Sequence, residues 1–418
     1  MLDLQLAILE QINASSPKSM SDLYFGNTDF WQHILQQHLL QLWKEGKVFV
    51  SQVERVASGY LPSKEAKWAT TKILEYYGYD LQWGLYQISE KPLEPLTISL
   101  EATINVGFQI HCIAISNNGE DFAIGGKSEK ILLGNLNRVE LTKQFMSNSN
   151  VWSLSFSPVD GQYFVSGHND GSILLWNKYS DKQSVIAEAD DRVTGLQYSP
   201  DGNSLVSSHQ LLTNKKNYPV HLWQIDNPGS PSSTGHHSES VYCVGFLPDG
   251  QSIVSAGSGK VLKHYSIREQ RELFVSKEQT GTISCLVVHP YIPLVVTGSW
   301  SGKYNVYDLT KQEQLFVVEA HNSRTTTVAL SPSGHLLATG SRDSQIAIWK
   351  LPEFTLLKRI VAHNGWIRSL VFADNNTIIS GGTDELCKIW RLHYIGKVPS
   401  DKNELIKDFQ HATEDSNE

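Results

Sequence analysis

The chain has 418 residues, 40% of them apolar and 19% charged, with a formal net charge of -8. That length exceeds one ordinary domain, and that composition describes a chain able to bury a core rather than a disordered one. The acidic balance argues against a protein built mainly to coat nucleic acid. No apolar run reaches membrane-spanning length, and the start lacks the basic stretch and small-residue cleavage site of a secretory leader. Cys112, Cys243, Cys285 and Cys387 are widely spaced without a C-x-x-C pair, so neither a disulfide framework nor a zinc site is suggested. The expectation is an intracellular, cytoplasmic protein with no cofactor and no bound metal.

Residues 1–92 form a first module. LDLQLAILEQI reads as a helix, Ser16-Pro17 suits the start of a second, and Thr28 can cap a third that carries Phe30, Trp31, Ile34, Leu35, Leu39, Leu42 and Trp43. VFVSQV and its continuation to Tyr60 read as a hairpin, followed by a helix through KEAKWATTKILEYYG. This element order resembles a winged helix. The third helix, QHILQQHLLQLWKEGK, offers little positive charge, whereas affinity for DNA rests on neutralising phosphates. Protein docking is therefore favoured over nucleic-acid binding. His33 and His38 lie five apart, about 140° around a helix, and cannot converge on a metal.

Past residue 92 the pattern changes. PLTISLEA (95–102) has strand character, and after it apolar runs recur with a fixed period. Trp176, Trp223, Tyr265, Tyr307, Trp349 and Trp390 fall in one column, with Gly134 as an atypical first member, at spacings of 42, 47, 42, 42, 42 and 41 residues. Seven units of about 40–45 residues match the period of four-stranded propeller blades. The turns SPVDG (157–161), SPDG (199–202), LPDG (247–250) and SPSG (331–334) place proline early and glycine late, as tight turns require. Cys112, Cys243 and Cys285 align with Ser153, Thr327 and Ser369, where small side chains suit close packing between sheets.

Across residues 94–393 these columns resemble the WD40 repeat family. The fold expected is mainly β: a seven-bladed WD40-type propeller over 93–393, preceded by the small, mainly helical, winged-helix-like domain and followed by a polar tail at 394–418. The resemblance implies a hydrogen-bonded tetrad of His, Ser or Thr, Asp and Trp in a complete blade. Two repeats carry all four: His321, Thr339, Asp343 and Trp349, then His363, Ser380, Asp384 and Trp390. The second repeat keeps Ser166, Asp170 and Trp176 with no His, and the fourth keeps His237 and Ser255 with Gly259 at the Asp position. Because the tetrad recurs at one blade position, an architectural role is expected rather than a catalytic triad. The resemblance also implies ring closure by a donated outer strand, with 95–102 as donor and ELIKDF (404–409) as the alternative.

In such rings the loops before the first strand and between the second and third strands gather on one face, where partners commonly bind. Matching positions give Trp152, Tyr242 and Arg368, with His111, Thr194, Ser284 and Thr326, at the first strands. Two residues earlier stand Arg192, Arg324 and Trp366, and the later turns supply Lys127, Trp300, Arg342, Asn169 and Ser258. Arginines and large aromatics dominate binding hot spots, and Arg beside Trp suits an acidic or phosphorylated segment. The third repeat adds the loop HQLLTNKKNYPV, with Lys215 and Lys216.

One stretch, SAGSGKVLKHYS (255–266), imitates the end of a nucleotide-binding loop. That loop needs Gly at position 254 and Ser or Thr at 261, where this chain has Val254 and Val261. It reads as a strand turn of the fourth blade. The function expected is a non-catalytic adaptor whose propeller binds one protein and whose first module docks another. The alternative is a nucleic-acid-linked regulator whose first module binds DNA. No constellation supports an enzyme.

Overall fold

The computed structural model describes residues 96–180, 182–189, 191–210, 218–352 and 354–393, together with the backbone of two short paired strands, Tyr79–Leu81 and Ile88–Glu90. The helices and hairpin expected within 1–92, the loop lysines Lys215 and Lys216, the tail 394–418 and the segment 404–409 lie outside the described residues. Leu96–Ala412 makes up one compact unit, and the propeller lies within it.

Seven four-stranded antiparallel sheets follow one another along the chain. Blade six shows the pattern, with strands Thr325–Leu330, Leu336–Ser341, Gln345–Lys350 and Thr355–Val361 in spatial order. The first strands, which pack against one another from blade to blade, are Ile110–Ile115, Val151–Phe156, Arg192–Tyr198, Val241–Phe246, Ile283–Val288, Thr325–Leu330 and Ile367–Asp374. The second strands are sandwiched between neighbouring sheets, so LVVTGS and LLATGS are buried at every position. A strand covered on both faces reads as a continuous apolar run. The outermost strands, such as ELTKQFM, are exposed at most positions.

The recurring Pro/Gly segments close the first and second strands into tight turns. Gly202 and Gly334 donate to the carbonyls of Ser199 and Ser331 at 2.9 and 2.8 Å. Both have φ near the left-handed region, +75° and +78°, which glycine adopts without a Cβ clash.

The ring closes through Thr97–Asn105, which pairs antiparallel with Leu386–His393 and completes the seventh blade as its outer strand. It begins later and runs further than 95–102. A register shift between Leu100 and Ala102 carries it on to Asn105, whose Oδ1 accepts from the Gly107 N–H at 3.0 Å and turns the chain toward blade one. Arg391 fastens the two strands with a fork onto the Glu101 carboxylate, at 3.0 and 3.3 Å.

Candidate functional site

Six of the seven blades are held from within by polar side-chain bonds, whose direction follows from donor chemistry. In blade seven the Trp390 indole N–H donates to Ser380 Oγ at 2.8 Å. Indole is a donor only, so the Ser380 hydroxyl turns its own proton to His363 Nε2, 2.7 Å away. His363 Nδ1–H is then left for the Asp384 carboxylate at 2.9 Å. Blade six repeats the chain through Trp349, Thr339, His321 and Asp343 at 3.1, 2.9 and 3.1 Å. The imidazole side chains are fully buried, and both ring nitrogens are engaged. These groups hold the blade interiors together.

The other blades reach similar ends with different residues. The second repeat does have a histidine, contrary to the sequence reading, but it comes from the second strand. His168 Nε2 lies 2.7 Å from Ser166 Oγ, which accepts from Trp176 at 2.7 Å, and His168 Nδ1 donates to the Ser149 carbonyl at 3.3 Å. Asp170 instead accepts from Ser172 at 2.7 Å. His209, Ser207 and Trp223 repeat this arrangement in blade three, with the Asp191 carbonyl as acceptor. The shared Ser-x-His at 166–168 and 207–209 is the signal that would have revealed it. In blade five Gln279 takes the imidazole's place, donating to Thr297 Oγ1 and Tyr307 Oη at 3.0 and 2.7 Å. In blade four His237 bonds Ser255 at 2.7 Å, so the stretch after Ser255 is a strand turn as expected. In blade one Phe122 lies where a side chain at Gly134 would begin, its Cζ 2.2 Å from the position of an added Cβ.

The loop positions selected by register meet at one end of the ring. In six blades the amide of the residue after the second strand donates to the carbonyl before the same blade's first strand: Lys127 to Gln109, Asn169 to Asn150, Ser258 to Ser240, Trp300 to Thr282, Arg342 to Arg324 and Thr383 to Trp366. Inside this rim lies a cavity of about 480 Å³, to which all seven first strands contribute: His111, Trp152, Thr194, Tyr242, Ser284, Thr326 and Arg368. Four of these serve the ring itself. His111, Thr194, Ser284 and Thr326 donate to the carbonyls of Val151, Val241, Thr325 and Ile367, each on the next blade. Deeper in, Ser369 and Thr327 accept from the amides of Ile113 and Leu370. The small-residue column therefore bonds between sheets as well as fitting between them.

The remaining side chains form stacks around the mouth. Arg324 lies 3.9 Å over the Trp300 ring, Arg342 3.8 Å over Trp366, and Arg192 4.4 Å over Trp152. The other contacts of Trp152 are the His111 ring, stacked at 4.2 Å, and Arg368 at 5.8 Å. Tyr242 stacks on Trp300 at 6.3 Å. Trp300 and Trp366 remain 39% and 43% exposed, so both offer apolar surface to solvent. Lys127 is exposed on the blade-one turn and does not line the cavity; nor do Arg192, Arg324 and Trp366, which stand beside it through their stacks on Trp152, Trp300 and Arg342. Among the described residues, none of Arg192, Arg324, Arg342 and Arg368 pairs with a carboxylate. Burial and the nearby Arg368 hold the His111 imidazole down at about 4, so it is neutral at pH 7. The mouth is cationic on a chain that is acidic overall.

Comparison with known proteins agrees with this geometry. Residues 293–401 match a model described as the DDB1- and CUL4-associated factor 12 beta propeller, and residues 140–177 and 229–266 match the WD domain, G-beta repeat. The fold defines the class, a seven-bladed β-propeller, and the matched stretches within it are similar to WD40 repeats. Actin-interacting protein 1-2 of Arabidopsis thaliana is 26% identical over 176 residues, covering 40% of this chain and 28% of that protein. Protein FIZZY-RELATED 3 of the same plant is 23% identical over 169 residues, 40% of this chain and 34% of that one. WD repeat-containing protein SL1-17 of Schistosoma mansoni is 27% identical over 161 residues, 38% of this chain and 51% of its own length. The aligned part thus spans 28% to 51% of these relatives. Among the described residues no helix is long and apolar enough to cross a membrane, and no His, Cys, Asp and Glu group could hold a metal.

Proposed function

We propose that this protein is a non-catalytic adaptor whose propeller mouth binds an acidic segment of a partner protein, while residues 1–92 dock a second partner. One observation carries the reading: Arg–Trp stacks ring a cavity with no carboxylate paired to the arginines among the described residues. Each stack joins a flat apolar surface to a fixed cation, worth about 0.5–2 kcal/mol as a cation–π contact and suited to anchoring a peptide. Two of the matched proteins, an actin-interacting protein and a DDB1- and CUL4-associated factor, are described by the proteins they associate with, which supports a protein-binding role.

The test is affinity capture with the wild type beside Trp366→Ala and Arg342→Glu. Both side chains are at the surface of the mouth, so melting temperature should hold while partner capture falls. Unaltered capture by both variants would refute the assignment.

A further inference from the structure

The four mouth arginines are not equivalent. Arg192 is held by two hydrogen bonds: Nε reaches Asn169 Oδ1 at 2.7 Å and a terminal nitrogen reaches Gln210 Oε1 at 2.9 Å. On the opposite side of the mouth, Arg324, Arg342 and Arg368 make no side-chain hydrogen bond among the described residues. Arg342 Nε is buried without a hydrogen-bond partner among the described residues. Leaving a buried donor unmade is costly, so a group that supplies an acceptor there is favoured. Arg324 and Arg342 are tied through their backbones at 3.1 Å, and Arg368 is the second residue of the first strand of the adjoining blade. Trp300 and Trp366 lie under the first two and fix where the guanidinium forks stand.

The charges on this side oppose one another. Burial first, and then Arg324, makes the Arg342 cation less favourable; burial first, and then Arg342, does the same to Arg368. A single carboxylate brings one negative charge to this group. A phosphorylated side chain brings about -1.5 to -2 at pH 7 and three acceptor oxygens, which match arginine forks.

We propose that Arg324, Arg342 and Arg368 form a subsite for the phosphoryl dianion of a phosphorylated residue in the bound segment, with the exposed Trp300 and Trp366 taking its apolar flanks. This rests on the reading that the mouth binds a protein segment. The groups facing the subsite change little between pH 7.5 and 5.5. His111 is held at about 4 by burial and Arg368, while burial raises Tyr242 and Cys112, which remain neutral. Arg192 remains a cation. Across that window the phosphate's own second ionisation, near 6, is the one that titrates.

The experiment presents the full chain with an arrayed degenerate peptide library in three matched forms: phosphoserine or phosphothreonine, unmodified, and Glu-substituted. Retained sequences are then measured in solution with inorganic phosphate as competitor. The expected result is selective retention of phosphopeptides, at least about tenfold tighter than their Glu counterparts, and a several-fold loss of affinity from pH 7.5 to 5.5. Arg342→Gln should weaken the phosphopeptide about tenfold or more, and the Glu peptide by clearly less. Arg368→Gln, measured beside it with its melting temperature, repeats the test from a second blade.

Equal binding of Glu and phosphopeptides would overturn the subsite while leaving the acidic-segment reading standing. Binding of inorganic phosphate alone, with no peptide preferred, would overturn the phosphorylated segment as its source. If no peptide form is retained while capture still falls in Trp366→Ala, the subsite fails and the mouth does not.

Discussion

Ile110 of the first blade occupies the space that a side chain at Gly381 of the seventh would need, its Cγ2 2.6 Å from where a Cβ would stand. The same relation links Gly125 with Val151, Gly167 with Val193, and Gly340 with Ile367. Each β-branched residue is the first or second of a first strand and is fully buried. Adding a methyl at Gly381 therefore forces apart the two blades that join the ring's ends. Gly381→Ala is expected to cost roughly 1–3 kcal/mol, as overpacking of a tight core does. Reversible denaturation measures it, and a change below about 0.5 kcal/mol would show that the seam is slack.

The closing strand should matter more than any single seam contact. Removing 96–105 exposes the edge of Leu386–His393 and takes away the cover over Trp390 and Leu392. The variant is expected to lose its cooperative melting transition and to aggregate through the open edge. A normal calorimetric transition in the deletion variant would mean that another segment can close the ring.

Phe122 and Gly134 form a reciprocal pair. Phe122→Ala leaves a cavity in blade one and is expected to cost about 3–5 kcal/mol. Gly134→Trp alone overpacks the same space. The double variant Phe122→Ala/Gly134→Trp should recover part of the loss, because an indole then fills the volume as it does in blade two. A double-mutant cycle reads the coupling, and strict additivity would contradict the shared volume.

Stability should fall as pH drops below about 6.5. His209 Nε2 accepts from Ser207, and burial lowers its pKa to about 4. The folded value is thus below the unfolded one, so the unfolded chain takes up the proton first. The stabilisation is complete above about 6.5 and is lost down to about 4, up to roughly 3 kcal/mol for this residue. Asp343 and Asp384 lie below the usual carboxylate value despite burial, held there by His321 and His363, and add to the loss at still lower pH. Denaturant titrations at pH 7, 5.5 and 4.5 measure the slope, and His209→Gln should flatten it. An unchanged slope would mean that folding leaves the His209 pKa unshifted.

The mouth was legible only in part. Register placed Arg324, Arg342, Trp300 and Trp366 at blade ends, because the repeat fixes which residue follows each strand. It could not tell them from Thr194, Ser284 or Thr326 at equivalent ends, whose hydroxyls turn to the next blade's carbonyls. Nor could it show that Arg192 bonds Asn169 and Gln210 while the buried Nε of Arg342 has no partner among the described residues.

By itself the sequence determined the period, the strand turns and the two complete tetrads, since these are local or recur at fixed spacing. The tertiary structure decided what fills each gap in the pattern. His168 and His209 enter from a neighbouring strand, Gln279 stands for an imidazole, and Phe122 lies in the space of an absent indole. A buried polar chain needs only a donor or acceptor at the right point, and a core needs only the volume, so several chain positions can supply either. Which arginine meets which tryptophan was decided the same way, by blades brought together only when the ring closes.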